Sequence, residues 1–216
     1  DELAMTEASL SSAEDLISRA REISVQGSNS VLGPEDRAIL ATEIEAIRDQ
    51  LFKLANTQSP MGDYIFAGHA TDRPAFADND GNYEFQGDNG QRALNIAAGV
   101  TVNVRSTGTD VFGEGETGIF SVLQNLAGGL RADDDEIIQR SLTSIDDSQQ
   151  LMLEGIADLG SRMGLVEDQQ LLNEAFNVQL KENLSGLEDI DYAKAISDMN
   201  LQMVALQAAQ QTYSQT

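Results

Sequence analysis

Residues 113–118, Gly113-Glu114-Gly115-Glu116-Thr117-Gly118, have the spacing G-x-G-x-x-G. An acidic residue, Asp133, follows at about the twenty-residue distance of a dinucleotide fingerprint. The chemistry does not follow the spacing. Two glutamates would face a pyrophosphate, and no second strand is predicted after the helix, so the stretch reads as a flexible linker. Asp78-Asn79-Asp80-Gly81-Asn82-Tyr83-Glu84 resembles a calcium loop, but Tyr83 stands where the loop needs glycine. A hairpin turn is the simpler reading, with calcium binding as the alternative. His69, the one histidine, follows Gly68 in a predicted loop and has no second histidine to share a metal or complete a Ser–His–Asp set. Carboxylates abound, yet nothing selects two as a general acid and base. With no cysteine, disulfides, thiolate metal sites and thiol catalysis are excluded. The expectation is a non-enzyme, with no catalytic residue, no metal site and no cofactor.

Charge narrows the partners. The 216 residues carry 36 acidic and 13 basic side chains, a formal net charge of −23. Phosphate binding needs a basic face that releases counterions, so neither nucleic acid nor an anionic membrane is expected as a partner. At 41% hydrophobic the chain can bury enough apolar surface to fold. It has no apolar run long enough to span a bilayer.

Few catalytic parts remain to be positioned, but many amphipathic elements do. Leu3, Thr6, Leu10, Ala13, Ile17, Ala20 and Ser24 alternate steps of three and four, which predicts a helix from residue 2 to about residue 26. After Gly27-Ser28-Asn29-Ser30 and Gly33-Pro34, a second helix is expected from about residue 34 to about residue 58. Its stripe is Leu40, Ile44, Ile47, Leu51, Leu54 and Gln58. Together the two read as an antiparallel hairpin.

From Asp63 to about Asp110 glycines recur at turn spacing. Strands are expected at 64–67, 83–86, 92–97 and 100–104, joined as a β-meander through Asp80-Gly81, Asp88-Asn89-Gly90 and Ala98-Gly99. A region of that size is marginal alone and more plausible as an insertion. The linker at 108–118 leads to a helix around 119–130.

The longest stripe follows. It runs from Ile138 through Leu142, Ile145, Met152, Ile156, Leu159, Met163 and Val166 to Leu180, Leu184 and Leu187. Asp133-Asp134-Asp135-Glu136 precedes it, where negative charge favours a helix N-terminus. Gln170, Asn173 and Asn177 interrupt the stripe. They read as a stretch that projects past the bundle, or as residues that set register with a partner helix. Ile196, Met199, Met203, Leu206 and Tyr213 resume the pattern among glutamines, which invites helix-on-helix assembly.

The predicted fold class is α+β: an elongated helical bundle or coiled-coil domain with an inserted small β-rich domain. The helical rod is expected from 1–60 and 112–216, and the β-rich insertion from 61–111.

Leu16-Ile17-Ser18-Arg19-Ala20-Arg21-Glu22-Ile23-Ser24-Val25-Gln26 resembles the first helix of the flagellin family, with its R-E-L-x-V-Q ending. Leu159-Gly160-Ser161-Arg162-Met163 resembles that family's L-G-A-R-x-N segment, although Met163-Gly164 departs from the usual asparagine. Leu187-Glu188-Asp189-Ile190-Asp191-Tyr192-Ala193 resembles its I-E-D-x-D-Y-A signature. Residues 54–57, 62–68 and 71–76, with Tyr83, 87–90 and Phe112, look like the subunits of the hook–filament junction rather than filament flagellin. No Q-F-N-G-type segment follows the second helix.

The resemblance implies a flagellin-like fold and a structural subunit of the bacterial flagellum that joins hook to filament. The alternatives are a filament flagellin, or a calcium-binding surface or adhesin module. As implied partners it gives another hook-associated protein, flagellin, further copies in a ring when full length, and an export chaperone. It implies an extracellular location reached unfolded through the flagellar type III channel, a route on which lacking thiols is an advantage. Family members have terminal segments that are disordered in the monomer. The chain opens Asp1-Glu2-Leu3 and is expected to lack most of them, and so to be monomeric and incompetent to assemble. Carried over by motif, the assembly interface is expected at Arg19, Arg21, Glu22, Val25, Gln26, Leu187, Glu188, Asp189, Asp191, Tyr192, Met199 and Met203.

Overall fold

In a computed structural model residues 2–214 are described, with the backbone alone for 188–191. The chain divides into two units, residues 1–166 and residues 167–216.

In the first unit, the three-and-four stepping at the start becomes α1 (Glu2–Gly27). Every residue of its expected stripe is buried, Thr6 and Ser24 included. The chain turns through 28–33 into α2 (Pro34–Ala55), with Pro34 in the first turn, where no backbone donor is lost. The inward face of α2 carries Leu40, Ala41, Ile44, Ile47, Leu51 and Ala55. The arginine Arg37 is buried with them.

The β region differs from the expected meander. Two separate hairpins form: β1 (Phe76–Asn79) with β2 (Asn82–Phe85), and β3 (Ala93–Ala97) with β4 (Val100–Asn103). The first pairs Phe76 with Phe85 and Asn79 with Asn82 across Asp80-Gly81. Both turn residues have positive φ, 54° and 88°. That is the type I′ geometry matching strand twist. The expected strand at 64–67 is absent. Ile65, Phe66 and Ala67 are buried in succession rather than alternately, which a strand with one wet face cannot do. Tyr64 makes one isolated bridge to Gln58.

The expected linker is ordered into α3 (Gly108–Phe112) and one 3-10 turn at Gly115–Thr117. It leads to α4 (Ile119–Ala132), which packs chiefly against α2 and touches α1 only slightly. A left-handed Asp133 (φ 55°) ends α4, and Asp134 caps the next helix by accepting the Glu136 and Ile137 amides.

Helix α5 runs from Asp135 to Tyr213 without a break. Within the first unit it buries Ile138, Ile145, Met152 and Leu159, a strict seven-residue spacing that gives one seam along the helix. An aromatic cluster joins hairpin β1–β2 to the helices. Phe120 of α4 lies 5.1 Å from Phe76, 5.4 Å from Tyr83, 5.7 Å from Phe52 and 5.8 Å from Phe112, centroid to centroid. These mostly edge-on or tilted pairs are favourable beyond their buried area.

In the second unit, residues 167–216, the described residues are helical up to Tyr213, and nearly all of them are exposed. Gln170, Asn173 and Asn177 are among the exposed, with Gln169 donating to Asn173 at 3.0 Å. No described helix is long and apolar enough to cross a membrane.

Candidate functional site

The residues expected to mediate assembly fall into two sets. The first sits near the end of α1 and is largely engaged within the chain. Arg19 donates from Nε and Nη2 to Glu43 of α2, at 2.9 and 2.7 Å, and from Nη1 to Glu22 at 2.9 Å. These bonds, Glu43 first, raise its pKa. Arg21 Nε pairs with Asp146 of α5 at 2.6 Å. Next to them, Gln149 bridges to Glu14 and Ser18. Exposed pairs of this kind contribute little stability. They do fix which turns of α1, α2 and α5 lie side by side. Val25 and Gln26 are exposed.

The second set lies on α5. Leu187, Tyr192, Met199 and Met203 are 65%, 72%, 54% and 53% exposed. Leu171, Leu172, Phe176, Leu180, Leu184 and Ile196 are exposed as well. Isolated apolar side chains on a surface need no explanation, whereas here they form a run along one helix. Glu188, Asp189 and Asp191 fall outside the residues whose side chains are described.

The chemical candidates can also be placed. The 113–118 segment is a turn packed on itself, with Gly113 and Gly118 facing each other, and Gly118 is the N-cap of α4. In the 78–84 segment, Asp78 accepts the Gly81 amide at 2.7 Å. Glu84 accepts the side chains of Asn79 and Asn82 at 3.1 and 2.8 Å. Among the described residues, no group of three or more His, Asp or Glu side chains is placed to hold a metal ion. His69 is exposed on a loop held by Asp88. Asp88 Oδ1 takes the backbone N–H of His69 and of Gly90, each at 2.8 Å, and these donations lower its pKa.

Sequence reasoning missed the buried arginines. Arg37 meets Asp133 at 2.6 Å and Asp135 at 2.8 Å, so two residues of the acidic run hold α2 to the α4–α5 junction. Burial opposes its charge, but the two carboxylates outweigh burial and raise its pKa. Arg105, just after β4, reaches Glu2 at 2.7 Å, Asp63 at 3.6 Å and the Gly68 carbonyl at 3.0 Å. Arg162 of α5 donates to the Arg105 carbonyl at 2.9 Å. The one available signal was their position: Arg37 lies at the i−3 place of the α2 stripe, and Arg162 falls within a family-like segment.

Comparisons with known proteins agree with this geometry. Residues 1–71 match the model of the bacterial flagellin N-terminal helical region. Flagellar hook-associated protein 3 of Escherichia coli K12 is 26% identical over 235 residues, covering 98% of this chain and 74% of the relative. Flagellar hook-associated protein 3 of Salmonella typhimurium LT2 is also 26% identical, over 237 residues, with the same coverage. Among solved structures, FlgL of Xanthomonas campestris has a TM-score of 0.78 at 19% identity, covering 86% of this chain and 93% of that one. Motifs, fold and relatives converge: residues 1–71 are similar to the flagellin N-terminal helical region, and the chain is similar to hook-associated protein 3 along almost its whole length.

Proposed function

We infer that the chain is a structural subunit of the bacterial flagellum that joins hook to filament. One observation carries this reading: both curated relatives, aligned over 98% of the chain, are hook-associated protein 3. The role is mechanical and needs no reaction. Its partners are other flagellar subunits, a hook-associated protein on one side and flagellin on the other, with further copies completing a ring in the full-length protein. A chaperone accompanies the unfolded chain to the type III export channel, and the assembled protein is extracellular. The rod is built from 1–60 and 112–216, with 61–111 inserted. Assembly uses the exposed apolar side chains of α5, Leu187, Tyr192, Met199 and Met203, together with Val25 and Gln26 at the end of α1.

Deletion of the gene tests the reading. Cells should keep hooks, lose filaments and release flagellin monomers into the medium. Restoring the gene should restore filaments, while a gene carrying Met199→Asp and Met203→Asp should not, although the product is still exported. Normal filaments in the deletion strain would overturn the assignment. Full filament assembly by the double variant would overturn the interface alone.

A further inference from the structure

The chain has one Asn–Gly step, Asn89-Gly90, and one Asn–Ser step, Asn29-Ser30. A small following residue leaves an asparagine side chain open to attack by the next backbone nitrogen. That nitrogen, after giving its proton to solvent base, bonds to the asparagine Cγ. The Cγ–nitrogen bond of the side-chain amide breaks, and ammonia leaves with a proton from water. The resulting succinimide is opened by water to an aspartyl or isoaspartyl residue. In an unfolded chain glycine permits this more readily than serine, because nothing beyond Cα crowds the nitrogen.

Folding treats the two steps differently. Both asparagines are exposed. At Asn89 the attacking and attacked groups are each held. The Gly90 N–H donates to Asp88 Oδ1 at 2.8 Å, and Asn89 Oδ1 accepts the Thr109 hydroxyl at 3.3 Å. The His69 ring closes the space beside Gly90, where a Cβ would come within 1.7 Å of Nδ1. The same Asp88 oxygen takes the His69 amide, so the loop is anchored on both sides.

At Asn29 the arrangement is reversed. The Ser30 nitrogen has no hydrogen-bond partner among the described residues. The Asn29 side-chain carbonyl accepts only the Val31 amide of its own turn at 3.1 Å, an Asx-turn contact, whereas Thr109 ties Asn89 to α3. The step lies in the short turn after α1, outside either helix's hydrogen-bond ladder.

We propose that Asn29 is the deamidation site of the folded protein and that Asp88 and Thr109 shield Asn89. The product carboxylate would stand two residues past Gly27, at the negative end of the α1 dipole. The isoaspartyl form would lengthen the backbone within the turn that Leu32 closes onto the Asn29 carbonyl at 3.1 Å.

The test is a time course of the intact protein in mildly alkaline buffer, with peptide mass mapping and isoaspartate detection. Folded, Asn29 should convert several-fold faster than Asn89. In concentrated urea the order should reverse. Asp88→Ala and Thr109→Val should each speed conversion at Asn89 several-fold and leave Asn29 unchanged. Circular dichroism checks that each variant keeps its helix content. Asn89 converting as fast as Asn29 in the folded protein would overturn the proposal. So would an unchanged order in urea, or wild-type rates at Asn89 in both variants.

Discussion

Replacing Phe120 with alanine tests how the β region is held. The ring is 1% exposed and meets Phe52, Phe76, Tyr83 and Phe112. Truncating a buried phenylalanine costs about 3–5 kcal/mol, the transfer loss plus the cavity left behind. Aromatic pairs of this geometry contribute about 0.5–1.5 kcal/mol each beyond their area. Part of that is already inside the truncation cost, so the terms are not summed, and the expected loss lies at the upper end, about 4–5 kcal/mol. Against a total stability of about 5–15 kcal/mol, that is a large fraction. The assay is urea unfolding followed by far-ultraviolet circular dichroism, with amide hydrogen exchange at β1 and β2. Because the ring touches α2, α3, α4 and the first hairpin together, the helical transition and the hairpin amides should weaken in parallel. Phe176→Ala, at a 64% exposed position, should change stability by no more than about 0.5 kcal/mol. A loss below about 1 kcal/mol for Phe120→Ala would refute the packing argument, since no core truncation of this kind is that mild. Loss of hairpin protection with an unmoved helical transition would instead show that 61–111 folds as a unit separate from the rod.

Other outcomes follow from single contacts. Ser24 is fully buried and its hydroxyl has no partner in the described structure, so Ser24→Ala should raise the urea midpoint, by about 1 kcal/mol in free energy. At Gly27 an added Cβ would lie 2.4 Å from Leu130 Cδ2, so Gly27→Ala should destabilise by about 1–3 kcal/mol, read from the thermal midpoint. The Asp88 carboxyl has a folded pKa below its ordinary 3.8, so its contribution is complete above that value and disappears as pH falls through the lowered one. Exchange protection of the His69 and Gly90 amides should therefore persist at neutral pH and fade only in strong acid.

The helices were legible because their burial follows a single period. All seven residues read as the α1 stripe are buried, and residues 138, 145, 152 and 159 of the long stripe form the buried seam of α5. Hairpins β1–β2 and β3–β4 were half legible. Their turns announced themselves chemically, as at Asp80-Gly81, but β1 was missed and the apolar run 64–67 was mistaken for a strand. Four consecutive residues carry no sign of whether they alternate faces or bury together in a turn. The same limit applies to the site. The motif residues near Arg19 and Leu187 could be named from sequence, but not that Arg19 and Arg21 spend their charge inside the chain while Leu187 and Met199 face outward.

By itself, the sequence determined that no cysteine chemistry is available and which segments had to be helical. Composition and a 3.6-residue period are properties of the chain, independent of how it packs. The tertiary structure decided which charges meet. Arg37 with Asp133 and Asp135, Arg105 with Glu2, and Arg21 with Asp146 lie between 96 and 125 residues apart in the chain. No local pattern encodes such pairings. They exist only once burial of the apolar seams has brought the helices to one register.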